Sequence, residues 1–326
     1  MPSQGPISGE KPRVHVSRRV PEGVRRELET SFAASVHDSE FPPDRDELLP
    51  ESAGRAGLVT MLTDAVDDEL LDAAGSSLRV VANYAVGYDN VDVEAASARG
   101  ILVSNTPDVL TEATAELTIA LVLDLVRRVS EGDRFLRRGE PWLWAPTFML
   151  GRGLAGRTLG VVGRGRIGSE VARLGAALGM RVVSTSRSGG DVDLDELLRT
   201  ADVVTLHTPL TPETHHLIGA RELRLMRRDA VLVNTTRGPV VDEAALVEAL
   251  RAGEIAGAAL DVFEREPEVA PALLELENVV LAPHLGSATL EAREAMGMLC
   301  VGALRAVLLE DRVPPNAVNA EAWQPA

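Results

Sequence analysis

The sequence predicts an α/β protein built from two doubly wound parallel-sheet domains, one inserted into the other. Three observations predict it. Short apolar runs rich in β-branched residues alternate with helix-period segments, the pattern of βαβ units and parallel pairing. At 326 residues the chain exceeds what one hydrophobic core usually serves, so two domains are the default. A glycine-rich turn, Gly163-Arg164-Gly165-Arg166-Ile167-Gly168, joins an apolar run at 158–162 to a helix-period run, and it comes only after a separate block of βα units. In such a turn the first glycine permits the bend, the second lets backbone approach a pyrophosphate, and the third lets helix pack on strand. The helix N-terminus attracts the phosphates. The turn therefore reads as a Rossmann-type dinucleotide site, with Gly163, Gly165, Arg166, Ile167 and Gly168 as its contacts.

The elements follow in order. Residues 1–12, with Pro2, Gly5, Pro6, Gly9 and Pro12 among polar residues, read as a disordered lead. Residues 14–16 start a strand, and 21–30 have helical spacing with Val24 and Leu28 on one side. A strand at 57–62 precedes a helix at 67–74 whose first turn is acidic, as the helix dipole favours. The strand at 78–83 runs into the loop 84–90, at the strand end where open α/β sheets bind ligands. A short helix at 92–99, stopped by Gly100, and a strand at 101–104 complete this block. A helix at 112–129 is apolar all round and must be covered on more than one face, which points to an interdomain or subunit interface. Residues 137–153 read as irregular and hold Trp142, Trp144 and Phe148. Beyond the glycine turn, strands at 180–185, 203–206, 230–233, 255–260 and 279–282 fit one open sheet, with helices at 193–199, 220–226 and 243–252. After a helix at 290–309 the tail has too little strand to stand alone, so it returns to the first block. The expected domains are 13–104 with 287–326, and 105–286.

Composition narrows the function classes. A net charge of −16 and a pI near 4.9 argue against nucleic acid or an anionic membrane as the main partner. The single cysteine, Cys300, excludes an internal disulfide and a multi-cysteine metal site, and no metal is expected. The apolar segment 117–126 is too short to span a bilayer and contains Asp124. No signal segment is visible in the first residues, so the cytoplasm is the expected compartment.

Several strand ends carry residues suited to chemistry. Of six histidines, His284 follows the strand at 279–282, where a site belongs, and His207 ends a strand beside Thr208-Pro209 on the cofactor side. His15, His37, His215 and His216 read as structural or solvated. Arg237, in the loop 234–238, can hold a carboxylate by a bidentate pair. In the loop 261–267 a carboxylate can hydrogen-bond the histidine and fix its tautomer. The second strand of the nucleotide unit runs into Ser186-Arg187-Ser188 instead of the usual acidic residue, which suits a 2′-phosphate and predicts NADP(H) over NAD(H). The competing reading makes Arg187 a solvated turn residue and leaves the ribose to Asp191 or Asp193.

Together, Gly163/Gly165/Gly168, Arg237, Glu266 and His284 resemble the D-isomer-specific 2-hydroxyacid dehydrogenases. The runs Asn83-Tyr84-Ala85-Val86-Gly87-Tyr88-Asp89-Asn90-Val91-Asp92, Ser104-Asn105-Thr106-Pro107-Asp108-Val109-Leu110-Thr111-Glu112 and Pro283-His284-Leu285-Gly286-Ser287-Ala288-Thr289 extend the likeness over nearly the whole chain. It is nearest to the glyoxylate and hydroxypyruvate reductase branch. The resemblance implies a Rossmann-type domain inserted into a smaller flavodoxin-like substrate domain. It also implies reduction of glyoxylate or hydroxypyruvate to the D-2-hydroxy acid, with NADP(H) preferred and NAD(H) possible. In that reading His284 is the acid/base, Glu266 its partner, and Arg237 binds carboxylate and carbonyl. The Val86 and Gly87 amides meet the carboxylate, and Asp261 holds the nicotinamide carboxamide. Further cofactor contacts are expected from Ser186 and Arg187, His207 and Pro209, Thr235, and His284 with Gly286. Trp144 resembles a tryptophan contributed to a neighbour's site, which implies a homodimer. Thr236 and Arg164 depart from the usual residues at their positions. The alternatives are another oxidoreductase of the family, acting on D-lactate, phosphoglycerate or phosphite, or a non-catalytic dinucleotide sensor.

Overall fold

A computed structural model describes residues 10–187 and 189–325. Most of the expected lead, and Ser188, lie outside the described residues. The chain divides into two compact units, Met1–Val109 with Thr289–Ala326, and Leu110–Ala288.

The first unit opens with β1 (Arg13–Val16), α1 (Glu22–Ser31), β2 (Ala33–Val36), α2 (Arg45–Ser52), β3 (Gly57–Thr60), α3 (Asp68–Ala74), β4 (Val80–Asn83), α4 (Val93–Ala98) and β5 (Leu102–Ser104). Its five strands are parallel in the order β2-β1-β3-β4-β5, the flavodoxin-like arrangement. β3 and β4 are buried throughout, as expected of central parallel strands covered on both faces. Two elements escape the sequence reading. β2 is an edge strand, only partly buried, with a sequence (Ala-Ala-Ser-Val) that carries no alternation. α2 is short and charged and holds Pro50; a capping box between Asp44 and Glu47 starts it.

The second unit continues with α5 (Thr111–Arg127), α6 (Val129–Arg137), β6 (Thr158–Val162), α7 (Arg166–Ala177), β7 (Arg181–Thr185), α8 (Leu194–Thr200), β8 (Val203–Leu206), α9 (Ala220–Leu225), β9 (Val231–Asn234), α10 (Glu243–Ala252), β10 (Gly257–Leu260), α11 (Pro271–Leu274) and β11 (Val279–Leu281). The expected helix at 112–129 is two helices. Arg128 takes a left-handed backbone with φ 59°, and the Asp124 carboxylate accepts the Ser130 N–H at 2.6 Å, which starts the second helix. The segment expected to be irregular from 137 is thus helical through Arg137. The six strands are parallel in the order β11-β10-β9-β8-β6-β7. The chain runs outward from β6 to β7 and returns on the other side to β8, so the switch point lies between the C-terminal ends of β6 and β8. Leu121, Val122, Val126, Leu159, Val161 and Val171 belong to one core layer. Leu197, Leu206, Leu232 and Leu246 belong to another.

The chain then returns to the first unit as α12 (Leu290–Leu308). A Cβ on Gly57 would lie 2.6 Å from Leu304 Cδ2, so a bare backbone there lets α12 close on β3. The buried Asn319 ties the tail to β5: its Oδ1 accepts the Val103 N–H at 2.7 Å and its Nδ2 donates to Ile101 O at 3.0 Å. Among the described residues, no helix is long and apolar enough to cross a membrane.

Candidate active site

The glycine turn sits at the switch point of the second unit. Gly163 has φ 94°, and a Cβ on it would lie 2.5 Å from His207 O. A Cβ on Gly168 would lie 2.0 Å from Gly163 O, so α7 packs on the turn only with glycine there. Gly165 differs, because a Cβ on it would meet nothing within 4 Å. It caps the N-terminus of α7, whose first residues are Arg166 and Ile167, and it faces open space. The N-terminus of a twelve-residue helix, beside a glycine with room in front of it, fits a dinucleotide pyrophosphate. His207, with Pro209 beyond it, follows β8 and lies against this turn. Burial pushes the His207 imidazole down to about 3, so it stays neutral, and its Nε2 lies 3.1 Å from Thr205 Oγ1.

At the end of β7, Arg187 is 77% exposed and 3.3 Å from Glu213. Arg164 Nη1 lies 3.3 Å from Ser184 Oγ and 3.8 Å from Asp191. The Asp191 carboxylate turns back onto β7, accepting the Ser184 N–H and Oγ–H, each at 2.9 Å. Asp193 caps α8 by accepting the Glu196 N–H at 2.8 Å. Both carboxylates that compete for the ribose are therefore occupied by nearby backbone. The Ser186 hydroxyl also bonds locally, to Gly189 O.

The catalytic candidates lie on loops after β9, β10 and β11. Asn234, the last residue of β9, pins the first loop: its Oδ1 accepts the Thr236 N–H at 3.0 Å and its Nδ2 donates to Arg237 O at 2.9 Å. Thr235 is held to α5 through Thr118, 3.0 Å between hydroxyls. A Cβ on Gly238 would lie 1.9 Å from Phe263 C and O, so the Arg237 loop rests directly on the backbone that leads to Glu266. Glu266 accepts the Phe263 N–H at 3.0 Å through Oε1, and its Oε2 lies 2.8 Å from His284 Nδ1. Burial pushes the Glu266 carboxyl up. The hydrogen bond and charge of His284, the Phe263 N–H and the Arg237 charge outweigh it, leaving Glu266 below the usual carboxylate range. With Nδ1 donating to Glu266, His284 keeps Nε2 for proton exchange.

His284 has φ 55°, a left-handed backbone that few side chains adopt. Asp261 holds it there. Its main-chain oxygen accepts the His284 N–H at 2.9 Å, and its carboxylate accepts the Leu285 N–H at 2.6 Å and the Gly286 N–H at 2.8 Å. One buried residue thus binds three successive amides. Burial pushes the Asp261 carboxyl up, with the Leu285 and Gly286 N–H bonds opposing. By resemblance Asp261 is a nicotinamide contact; the clamp on His284 is an added role that sequence reading missed.

In the first unit, Val86 and Gly87 lie in the loop after β4. Asn83, the last residue of β4, donates from Nδ2 to Gly87 O at 2.9 Å. The same device occurs in both units, a buried strand-final asparagine gripping a carbonyl of the loop it starts. An asparagine that closes a β-rich run before a turn is the signal that would have revealed both. Trp144 is 78% exposed, with Trp142 and Leu143 beside it at 60% and 83%.

Known proteins resemble this chain over nearly its whole length. The D-isomer specific 2-hydroxyacid dehydrogenase NAD-binding domain profile matches residues 119–286. A glyoxylate reductase of Thermococcus litoralis is 47% identical over 324 residues, covering 95% of this chain and 97% of the relative. A solved protein of Thermus thermophilus superimposes with a TM-score of 0.89 at 48% identity, over 94% of this chain and 99% of that one. The NADPH-dependent glyoxylate/hydroxypyruvate reductase of Sinorhizobium meliloti, solved with NADP and malonate, gives a TM-score of 0.82 at 35% identity, over 97% and 99%. With the dinucleotide turn in place and likeness of this extent, the chain is an oxidoreductase of the D-isomer specific 2-hydroxyacid dehydrogenase family.

Proposed function

We propose that this chain reduces glyoxylate or hydroxypyruvate to the D-2-hydroxy acid, with NADPH preferred to NADH. The observation that carries the reading is the His284–Glu266 pair at 2.8 Å, with the Arg237 loop seated on the same backbone through Gly238. A nicotinamide, when bound, supplies the hydride. His284 presents Nε2 as proton donor to the alkoxide that develops on the substrate, and Glu266 holds its ring orientation through Nδ1. Arg237 offers a fixed cation for the substrate carboxylate and the developing oxygen charge. The Val86 and Gly87 amides would take the carboxylate as well, and Asp261 and Thr235 would border the nicotinamide. The names of the relatives in Thermococcus and Sinorhizobium support the substrate pair.

Support for NADPH comes from the adenosine end, where Arg187 and Arg164 bring positive charge to the strand terminus and the nearest ribose candidates, Asp191 and Asp193, are engaged with backbone N–H groups. A homodimer is supported by the exposed Trp142, Leu143, Trp144 and Leu150, an apolar group that a partner subunit would cover, with Trp144 reaching that partner's site. A cytoplasmic setting would give it access to a nicotinamide pool.

A panel of glyoxylate, hydroxypyruvate, pyruvate, D-3-phosphoglycerate and phosphite with both cofactors tests the reading. The highest kcat/KM is expected for glyoxylate or hydroxypyruvate with NADPH. Higher efficiency with phosphite or phosphoglycerate, or equal rates with NADH, would overturn the corresponding part. Sedimentation is expected to show a species of twice the 34.8 kDa chain mass.

A further inference from the structure

The carbonyls of the loop 84–87 of the first unit are held by three donors. Thr106 N–H donates to Ala85 O at 2.9 Å, Asn105 Nδ2 donates to Val86 O at 2.8 Å, and Asn83 Nδ2 donates to Gly87 O at 2.9 Å. Three successive carbonyls are therefore fixed. Each of these peptides is trans, because the cis bond of the described residues lies at Glu266–Pro267. In a planar trans peptide the carbonyl and the following N–H point in opposite directions. Holding Ala85 O aims the Val86 N–H away from Thr106, holding Val86 O aims the Gly87 N–H away from Asn105, and holding Gly87 O does the same for the Tyr88 N–H. Among the described residues, neither the Val86 nor the Gly87 N–H donates to a protein group. Both residues are partly exposed.

The holders are themselves fixed. Asn83 is fully buried. Asn90 Nδ2 bridges the neighbouring loop, donating to Met61 O at 3.0 Å and Asp64 O at 2.9 Å, and it lies 3.2 Å from Asn83 Oδ1. The Asn105 backbone is anchored separately, because its carbonyl accepts from Asn316 Nδ2 at 2.6 Å.

We propose that Asn105 is a positioning residue that, beside the Thr106 N–H bound to Ala85 O, keeps the Val86 and Gly87 amides turned outward as a preformed donor pair for the substrate carboxylate. The inference rests on the 2-oxo acid reading above. Preformed donors need no reorganisation when the anion arrives, and they act equally on the ground state and the transition state. Their loss is therefore read in KM and not in kcat.

Asn105 is the residue to test, since among the described residues its side chain makes this one bond while Asn316 secures its backbone. Asn105→Ala and the isosteric Asn105→Asp, which sets an acceptor against Val86 O, are each expected to raise KM for glyoxylate about tenfold with kcat changed less than about threefold, the pattern of lost uniform binding. The Kd of oxalate, measured by calorimetry with NADPH bound, should weaken by the same factor. NADPH affinity and Tm should stay at wild-type values, which a merely structural role would move. Unchanged KM and oxalate Kd overturn the proposal, as does a loss matched by weaker NADPH binding or a lowered Tm. Wild-type enzyme inactive on every 2-oxo acid would sink the functional reading alone, and the oxalate comparison would still decide the role of Asn105.

Discussion

Asp261→Asn is the sharpest test of how His284, the proposed acid/base, is held. The carboxylate is 1% exposed and each oxygen accepts one main-chain N–H, from Leu285 and Gly286. An amide offers one oxygen, so one of the two N–H groups would face an NH2. A buried donor left without an acceptor costs about 1–3 kcal/mol. The same clamp restrains His284 in a left-handed backbone, itself unfavourable by about 1–2 kcal/mol, so the loop has a reason to relax once released. Relaxation would shift the His284 ring from Glu266, and misplacement by about 1 Å can cost about 10²-fold in rate. We expect kcat for glyoxylate to fall about 10–100-fold, with Tm lowered by several degrees and dinucleotide affinity changed less than kcat. The assays are steady-state kinetics, fluorescence titration with NADPH and thermal unfolding. A variant with wild-type kcat and weakened NADPH binding would refute the clamp and leave Asp261 a cofactor contact only.

His284→Ala should lower kcat by about 10²-fold or more, as loss of a general acid does, and activity near wild type would remove it from the mechanism. Glu266→Gln keeps the shape but replaces the carboxylate that Nδ1 meets with an amide, so a smaller fall of about tenfold is expected. Acid stability tests a group outside the site. Burial foremost, with Arg55 and His37 nearby, pushes His15 down to about 4 from 6.5 despite the Glu51 carboxylate 3.1 Å from its Nε2, so the unfolded chain takes up the proton first. That contribution is complete above pH 6.5 and is lost as pH falls towards 4, by about 3 kcal/mol in all. Urea unfolding of His15→Gln should show a flatter pH dependence over that window, and a slope equal to wild type would contradict it.

Much of the candidate site was legible because its signals are local. Gly163, Gly165 and Gly168 are spaced by the demands of one turn, and His284, Glu266 and Arg237 each follow a recognisable apolar run. β2 and α2 were illegible because an edge strand and a capped charged helix need little apolar periodicity. The break at Arg128 was hidden since the apolar pattern continues across it, and the capping contact from Asp124 to Ser130 spans six residues. Asn83, Asn105 and Asn234 went unread because their roles depend on which carbonyl lies opposite.

The sequence alone determined the alternation of strands and helices, the dinucleotide turn, the acidic charge and the types of residue available for proton and carboxylate chemistry. These follow from periodicity and side-chain chemistry, which neighbouring residues set. Only the tertiary structure decided that Gly238 rests on Phe263, that one aspartate secures three amides behind His284, and that Asp191 turns back onto its own strand. Each of those contacts joins backbone segments from different loops or strand ends, and a hydrogen bond's partner is chosen by distance and direction in the folded chain. The turn at 163–168 was readable in advance because its geometry closes within six residues. The clamp on His284 was not, because it closes across two strand ends.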